Sequence, residues 1–282
     1  MILLAFVFFR SERKELIQII PNIESADPLW ILAGVGVTFL YVFLQSGIYI
    51  SSFSSIGLPL KWIDAFELFL KRNFLSIFLP AGGVSALAYT PSQLRKRGFN
   101  KTQIGQASGL YGFAGLSTVF LVGLPVLVLL TLSPNRQFKS AWIGLIFVVM
   151  LMIGLVWLAK SLKQKNKLYQ YIEQKFPKAS PVIDELFAAN VEQKKYAGAI
   201  GFSVGVELSG MASIYIAMLA LGVPPSVMGA AVGYMVTVLL MVASPFLRGL
   251  GAVEMSLVYI LEMYGYSTVQ ALSITILYRV FE

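Results

Sequence analysis

Ser244-Pro-Phe-Leu-Arg-Gly-Leu-Gly-Ala-Val-Glu254 interrupts a hydrophobic segment with Pro245, Gly249 and Gly251, and it sets Arg248 and Glu254 where a lipid-facing helix carries neither. Proline withdraws a backbone donor and glycine loosens the chain, so the stretch breaks a helix. From there the sequence runs through a short apolar piece, Leu257 to Tyr264, a turn at Gly265-Tyr266-Ser267, and a last apolar segment from Val269 that reaches Tyr278-Arg279. A weaker copy of this pattern lies upstream. Gly98-Phe99-Asn100, Gln103 and Leu110-Tyr111 correspond to Gly265-Tyr266-Ser267, Gln270 and Leu277-Tyr278 at a constant separation of 167 (265 − 98). Gly57-Leu58-Pro59 corresponds to Gly222-Val223-Pro224 at a separation of 165 (222 − 57). The expected fold class is all-α: a polytopic helical membrane protein with two repeated halves, each containing a broken or re-entrant helix.

Composition supports the membrane class. Of 282 residues, 57% are hydrophobic and only 13% charged, where a soluble domain is about one quarter charged. The chain has no cysteine and no histidine, which removes disulfides, thiolate metal sites and every nucleophile–histidine pair. No cofactor is implied. The net charge of +8 is gathered in a few loops and points to a cytoplasmic face and anionic lipid headgroups rather than to nucleic acid.

Read in order, Met1 to Phe9 is apolar but too short to cross a bilayer, and it reads as the tail of a first helix whose start lies upstream. Val280-Phe281-Glu282 ends without a cap signal, so the polypeptide is expected to continue. Trp30 to Ile50 is a full span. Trp62 to Leu79 is apolar but carries Asp64, Glu67, Lys71, Arg72 and Asn73. Its charged side either snorkels at the interface or, at Arg72 and Asn73, faces an internal polar cavity. Pro80-Ala81-Gly82-Gly83 breaks that helix, and the following Val84 to Tyr89 is too short to span. Irregular backbone at membrane depth persists only inside protein or beside water. Gln93 to Lys101 is a basic cluster, Ile104 to Leu132 a long run with Pro125 as a candidate kink, Ser133 to Ser140 a loop and Trp142 to Ala159 a clean span. Lys160 to Lys195 is a basic connector expected to form two short amphipathic surface helices. Ala197 to Leu221 and Met228 to Ala243 are further spans. The expected division is a first membrane repeat over 1–159, a cytoplasmic connector over 160–196 and a second repeat over 197–282.

Each ionisable side chain at a helix centre costs roughly 2.5–3.5 kcal/mol on insertion scales, so Glu207, Arg248, Glu254 and Arg279 are the candidates for function. Two readings stand beside each other. The charges pair, Glu254 with Arg248 or with Arg279, and fix packing; or they line a polar cavity for a charged lipid headgroup. Gly201-Phe-Ser-Val-Gly205 matches a nucleophile pattern, but it lies in a hydrophobic span of a chain without histidine and is set aside.

At these residues the chain resembles a known family. Pro80-Ala-Gly-Gly, and Pro245 through Arg248-Gly-Leu-Gly251 to Glu254 with Tyr278-Arg279, look like the transmembrane domain of the bacterial lysylphosphatidylglycerol synthase/flippase, also called multiple peptide resistance factor, and its stand-alone relatives. The resemblance covers nearly the whole chain. It implies a module that flips aminoacylated phosphatidylglycerol between leaflets of the bacterial cytoplasmic membrane. In the full family protein a C-terminal domain transfers lysine to the lipid, and the product confers resistance to cationic antimicrobial peptides. Nothing in this chain resembles that synthase domain, so this segment is not expected to be catalytic. The resemblance places Pro80, Gly82, Gly83, Arg248, Gly251, Glu254 and Arg279 at the lipid site. Glu207, Tyr278, Arg72, Asn73 and Tyr111 complete the candidate set. The first copy departs from the second, with Leu87 and Gly112 standing where Glu254 and Arg279 stand. Expected partners are an anionic or aminoacylated phospholipid, the bilayer, a synthase domain on the same polypeptide and a second copy of the chain. The competing functions are a secondary transporter of a small solute and a non-transporting anchor for a lipid-modifying enzyme.

Overall fold

The computed structural model describes residues 21–78, 86–87, 89–90, 92–132, 141–175, 184, 190–243 and 251–282. Expectations that rest on Met1 to Phe9, on Pro80 to Gly83, on the Ser133 to Ser140 loop, on the second connector helix and on Arg248 lie outside them. The described elements are helical: α1 Pro28–Ser54, α2 Trp62–Phe78, α3 Ser92–Lys96, α4 Lys101–Thr131, α5 Ala141–Lys163, α6 Lys167–Lys175, α7 Gln193–Ala220, α8 Val227–Ala243, α9 Ala252–Met263 and α10 Thr268–Phe281. No strand occurs among the described residues. Helices α1, α4 and α7 are long and apolar enough to cross a membrane.

The helix ends follow from local chemistry. Asp27 Oδ1 accepts from the Leu29 amide at 2.8 Å, with Pro28 in the first helical position, where its missing N–H has no partner to lose. Helix α4 continues through Pro125. Helix α2 is turned inside out relative to a soluble helix. Ile63, Phe66, Leu70 and Phe74 are exposed, whereas Ala65, Leu68, Phe69 and Arg72 form its buried face. That arrangement suits a lipid surround, which receives the apolar side and leaves the charged side to the protein.

One joint occurs twice. Between α3 and α4, Gly98 (φ +90) donates to Arg95 O and Phe99 donates to Leu94 O. Between α9 and α10, Gly265 (φ +90) donates to Glu262 O and Tyr266 donates to Leu261 O. This is the glycine-terminated helix end in which a left-handed residue satisfies two orphan carbonyls. A reciprocal cap follows each time. Asn100 Oδ1 accepts from Gln103 N at 2.7 Å while Gln103 Oε1 accepts from Asn100 N at 3.0 Å; Ser267 Oγ and Gln270 Oε1 do the same at 3.3 and 3.0 Å. The turns at Gly57 and Gly222 share a second pattern, with Leu58 N donating to Phe53 O and Val223 N to Met218 O. Helices α2 and α8 follow them.

The chain divides into two compact units, one of 1–44, 76–82 and 205–282, the other of 45–75 and 83–204. In the first, α8 packs on α9 and α9 on α10; in the second, α4 packs on α5 and α5 on α6. Close approach in the first unit depends on small residues. A Cβ on Gly210 would stand 2.0 Å from the Tyr234 ring, and one on Gly233 would stand 2.6 Å from Leu257. Association of helices in lipid relies on such contacts, because burial from water contributes nothing there.

The repeated joint makes a direct prediction. Ser267→Ala removes a cap and costs about 1 kcal/mol. Gly265→Val forces a branched side chain into the left-handed region and costs at least about 1–2 kcal/mol. Both lower the unfolding midpoint of the detergent-solubilised chain, and Asn100→Ala behaves as Ser267→Ala does.

Candidate functional site

In the unit that holds residues 205–282, Glu207 stands near the middle of α7 and is 4% exposed. Tyr234 of α8 lies beside it, yet Glu207 Oε2 has no hydrogen-bond donor among the described residues. Tyr278 of α10 is within electrostatic range of Glu207, and Tyr41 of α1 and Glu282 are within range of Tyr234. No Lys or Arg among the described residues forms an ion pair with Glu207. Gly210, one turn further along α7, lets the Tyr234 ring lie flat against the helix. An acid held this way is set to receive a hydrogen-bond donor or a cation.

Glu254 and Arg279 form the second feature of this unit. Arg279 Nε donates to Glu254 Oε1 at 2.8 Å, and its Nη1 donates to Glu282 Oε2 at 2.6 Å. The other Glu254 oxygen, Oε2, accepts from the Gly251 amide at 2.7 Å. Gly251 has φ +87, which only glycine adopts freely, and it carries no side chain to return the favour, so α9 begins with half of a reciprocal cap. The carboxylate therefore opens α9 and anchors α10 at once. The side chains are 31% and 20% exposed, so the pair stays reachable. Of the two pairings open to Glu254 in the sequence, this one is seen; Arg248 lies outside the described residues.

In the other unit the buried charge is a cation. Arg72 of α2 is 3% exposed. Its Nε and Nη2 donate to Tyr89 O, Nη2 also to Leu87 O at 3.0 Å and to Ser108 Oγ at 2.8 Å, and Nη1 to the Tyr49 hydroxyl at 3.3 Å. Tyr49 stacks on Tyr111 with ring centroids 3.9 Å apart, and the Tyr111 hydroxyl donates to Gln45 Oε1 at 2.5 Å. Asn73 neighbours Arg72 on α2 and is half-buried. Asp64 pairs with Arg97, while Glu67 takes Lys71. A Cβ on Gly112 would meet Leu87 Cδ1 at 3.0 Å. The positions that correspond to Glu254 and Arg279 thus lie close together in this unit too, as an apolar side chain and a glycine.

The structure gathers the sequence candidates into two groups, each within one unit: Glu207, Gly251, Glu254, Tyr278 and Arg279 in one, Arg72, Asn73 and Tyr111 in the other. Pro80, Gly82, Gly83 and Arg248 lie outside the described residues. Sequence reasoning missed Tyr41, Gln45, Tyr49, Ser108 and Tyr234. The available signal was a tyrosine or glutamine within an apolar span, a polar tip that needs a partner once buried.

Compared with known protein families, residues 1–282 match the model described as Lysylphosphatidylglycerol synthase TM region. The chain belongs to this family. Neither the curated proteins nor the solved structures gave a match. Family membership and the long apolar helices together establish a membrane domain related to lysylphosphatidylglycerol synthesis or flipping.

The ion pair can be weighed by a double-mutant cycle. Glu254→Gln and Arg279→Gln are each expected to destabilise α9 and α10, with a coupling of about 0.5–1 kcal/mol, as befits a partly exposed pair. Denaturation of the solubilised variants measures it, and a coupling near zero would mean that the two side chains act independently.

Proposed function

We propose that this chain carries aminoacylated phosphatidylglycerol, such as lysylphosphatidylglycerol, between leaflets of a bacterial cytoplasmic membrane. It would serve as the flippase part of a phosphatidylglycerol lysyltransferase system that protects against cationic antimicrobial peptides. The observation that carries the reading is Glu207: a buried carboxylate on a spanning helix, without a cation among the described residues, in the same unit as the Glu254–Arg279 pair. A charged residue at membrane depth is retained where it serves a polar pathway.

The chemistry fits a headgroup that bears both signs. The amines of a lysyl ester are donors that Glu207 and Glu254 accept. The lipid phosphate competes for the Arg279 fork, which binds tetrahedral oxyanions through parallel charge-assisted bonds. When no lipid is present, Glu254 and Glu282 keep that fork occupied. Basic loops around Arg95 and Lys163 collect anionic lipid at the cytoplasmic face. A synthase domain on the same polypeptide would deliver the substrate.

Leaflet exposure of lysylphosphatidylglycerol in cells tests the proposal. Loss of one charge-assisted bond of about 1.5–3 kcal/mol in Glu207→Gln, Glu254→Gln or Arg279→Gln lowers outer-leaflet lipid about tenfold or more, with total lipid unchanged. Unchanged exposure in all three removes these residues from the path. Purified chain in liposomes that neither flips the lipid nor takes up a solute under an ion gradient would leave the anchor role instead.

A further inference from the structure

A serine or threonine inside a helix turns its hydroxyl to solvent or donates it to a carbonyl one turn back. In the unit that holds residues 205–282, the buried hydroxyls of Ser209, Ser213, Ser273 and Thr275 donate to Val206 O, Ser209 O, Val269 O and Ala271 O. Thr237 of α8 does neither. It is 0% exposed, and its Oγ1 has no hydrogen-bond partner among the described residues. A hydroxyl left buried in this way costs stability, and valine, with the same shape and no hydroxyl, escapes that cost.

The register of α7 against α8 fixes what Thr237 faces. The Ser226 amide donates to Met218 Sδ at 3.5 Å, and a Cβ on Gly210 would stand 2.0 Å from the Tyr234 ring. Eight residues back along α7 (218 − 210) thus match eight residues forward along α8 (234 − 226), as they do in antiparallel neighbours. One more turn in each direction leads to Glu207 on α7 and to Thr237 on α8. Both residues therefore stand at one level of the hairpin, with Tyr234 beside Glu207. Glu207 Oε2 and Thr237 Oγ1, each without a partner among the described residues, are two buried acceptors, one of them on a carboxylate.

We propose that Thr237 Oγ1 and Glu207 Oε2 form an acceptor pair for a primary ammonium group, and that Thr237 makes the site selective for amines that carry N–H donors. A primary ammonium has hydrogens to give and no lone pair to receive one. The carboxylate takes its charge and one hydrogen, and the threonine oxygen takes a second. Tyrosine rings attract primary and quaternary ammonium groups alike, so Tyr234 and Tyr278 near Glu207 do not tell them apart. The two oxygens do, because a trimethylated nitrogen has nothing to donate to them. That Glu207 meets a lipid amine rests on the function proposed above; the part assigned to Thr237 rests on its orphaned hydroxyl and the hairpin register.

Binding of two lipids to the chain in nanodiscs tests the proposal: lysylphosphatidylglycerol, and the same lipid with both amines permethylated to trimethylammonium, which keeps their charge and removes their donors. The wild-type chain binds the primary-amine lipid about tenfold more tightly. Thr237→Val cuts that preference at least about threefold by weakening the primary-amine lipid alone, and Thr237→Ser retains it. Because the hydroxyl has no partner in the free chain, Thr237→Val unfolds at a midpoint no lower than that of the wild type. Equal binding of the two lipids by the wild-type chain, or an undiminished preference in Thr237→Val, overturns the proposal and leaves the lipid reading of Glu207 standing. A midpoint lowered in Thr237→Val and restored in Thr237→Ser assigns the hydroxyl to packing and overturns it as well. Absence of binding to either lipid is a loss of affinity rather than of preference, and it removes the function proposed above together with this site.

Discussion

A charge that leaves water inside a membrane protein has to be met by the protein itself, and two side chains bring this constraint to the fore. Arg72 and Glu207 are each at most 4% exposed, and neither has an opposite charge in ion-pair contact among the described residues. Helix α2 turns its apolar residues outward to bring Arg72 inside, and α7 places Gly210 one turn from Glu207 so that Tyr234 can approach. The surrounding tyrosines, amide and hydroxyls serve as dipoles that moderate the charge without cancelling it.

The two units answer the constraint with opposite signs around similar frames. Tyr111 and Tyr278 occupy the same place after the same glycine joint and the same reciprocal cap. Tyr111 leads to a buried guanidinium, Tyr278 to a buried carboxylate. At the corresponding pair of positions, the Leu87 side chain lies near Gly112, whereas Glu254 and Arg279 form an ion pair. The amines of an aminoacyl headgroup carry the sign that Glu207 lacks, which is the chemical basis of the function proposed for this member of the family.

The parts legible in the sequence are those where a residue type dictates its own conformation. Gly265-Tyr266-Ser267 announced a turn, its match to Gly98-Phe99-Asn100 announced a related one, and the long apolar runs set helix limits to within a few residues. The Glu254–Arg279 contact was among the pairings open from spacing and pattern. Arg72's surroundings were not legible, because Tyr49 and Ser108 are 23 and 36 positions away and meet it only through the register of packed helices. The partner of Asp64 was not legible either, since the guanidinium of Arg97 reaches it from beyond α3. Tyr234 likewise sat unnoticed in an apolar run, since its relation to Glu207 depends on the absence of a side chain at Gly210.

The central claim is that these buried charges are vacant binding groups rather than packing devices, and equilibrium binding of lysylphosphatidylglycerol to the purified chain in nanodiscs tests it most directly. The account predicts saturable binding that the diacylglycerol of the same chain length does not displace, weakened about tenfold or more in Glu207→Gln as one charge-assisted bond is lost. Equal affinity of the wild-type chain and Glu207→Gln, with the variant fully folded, would contradict it.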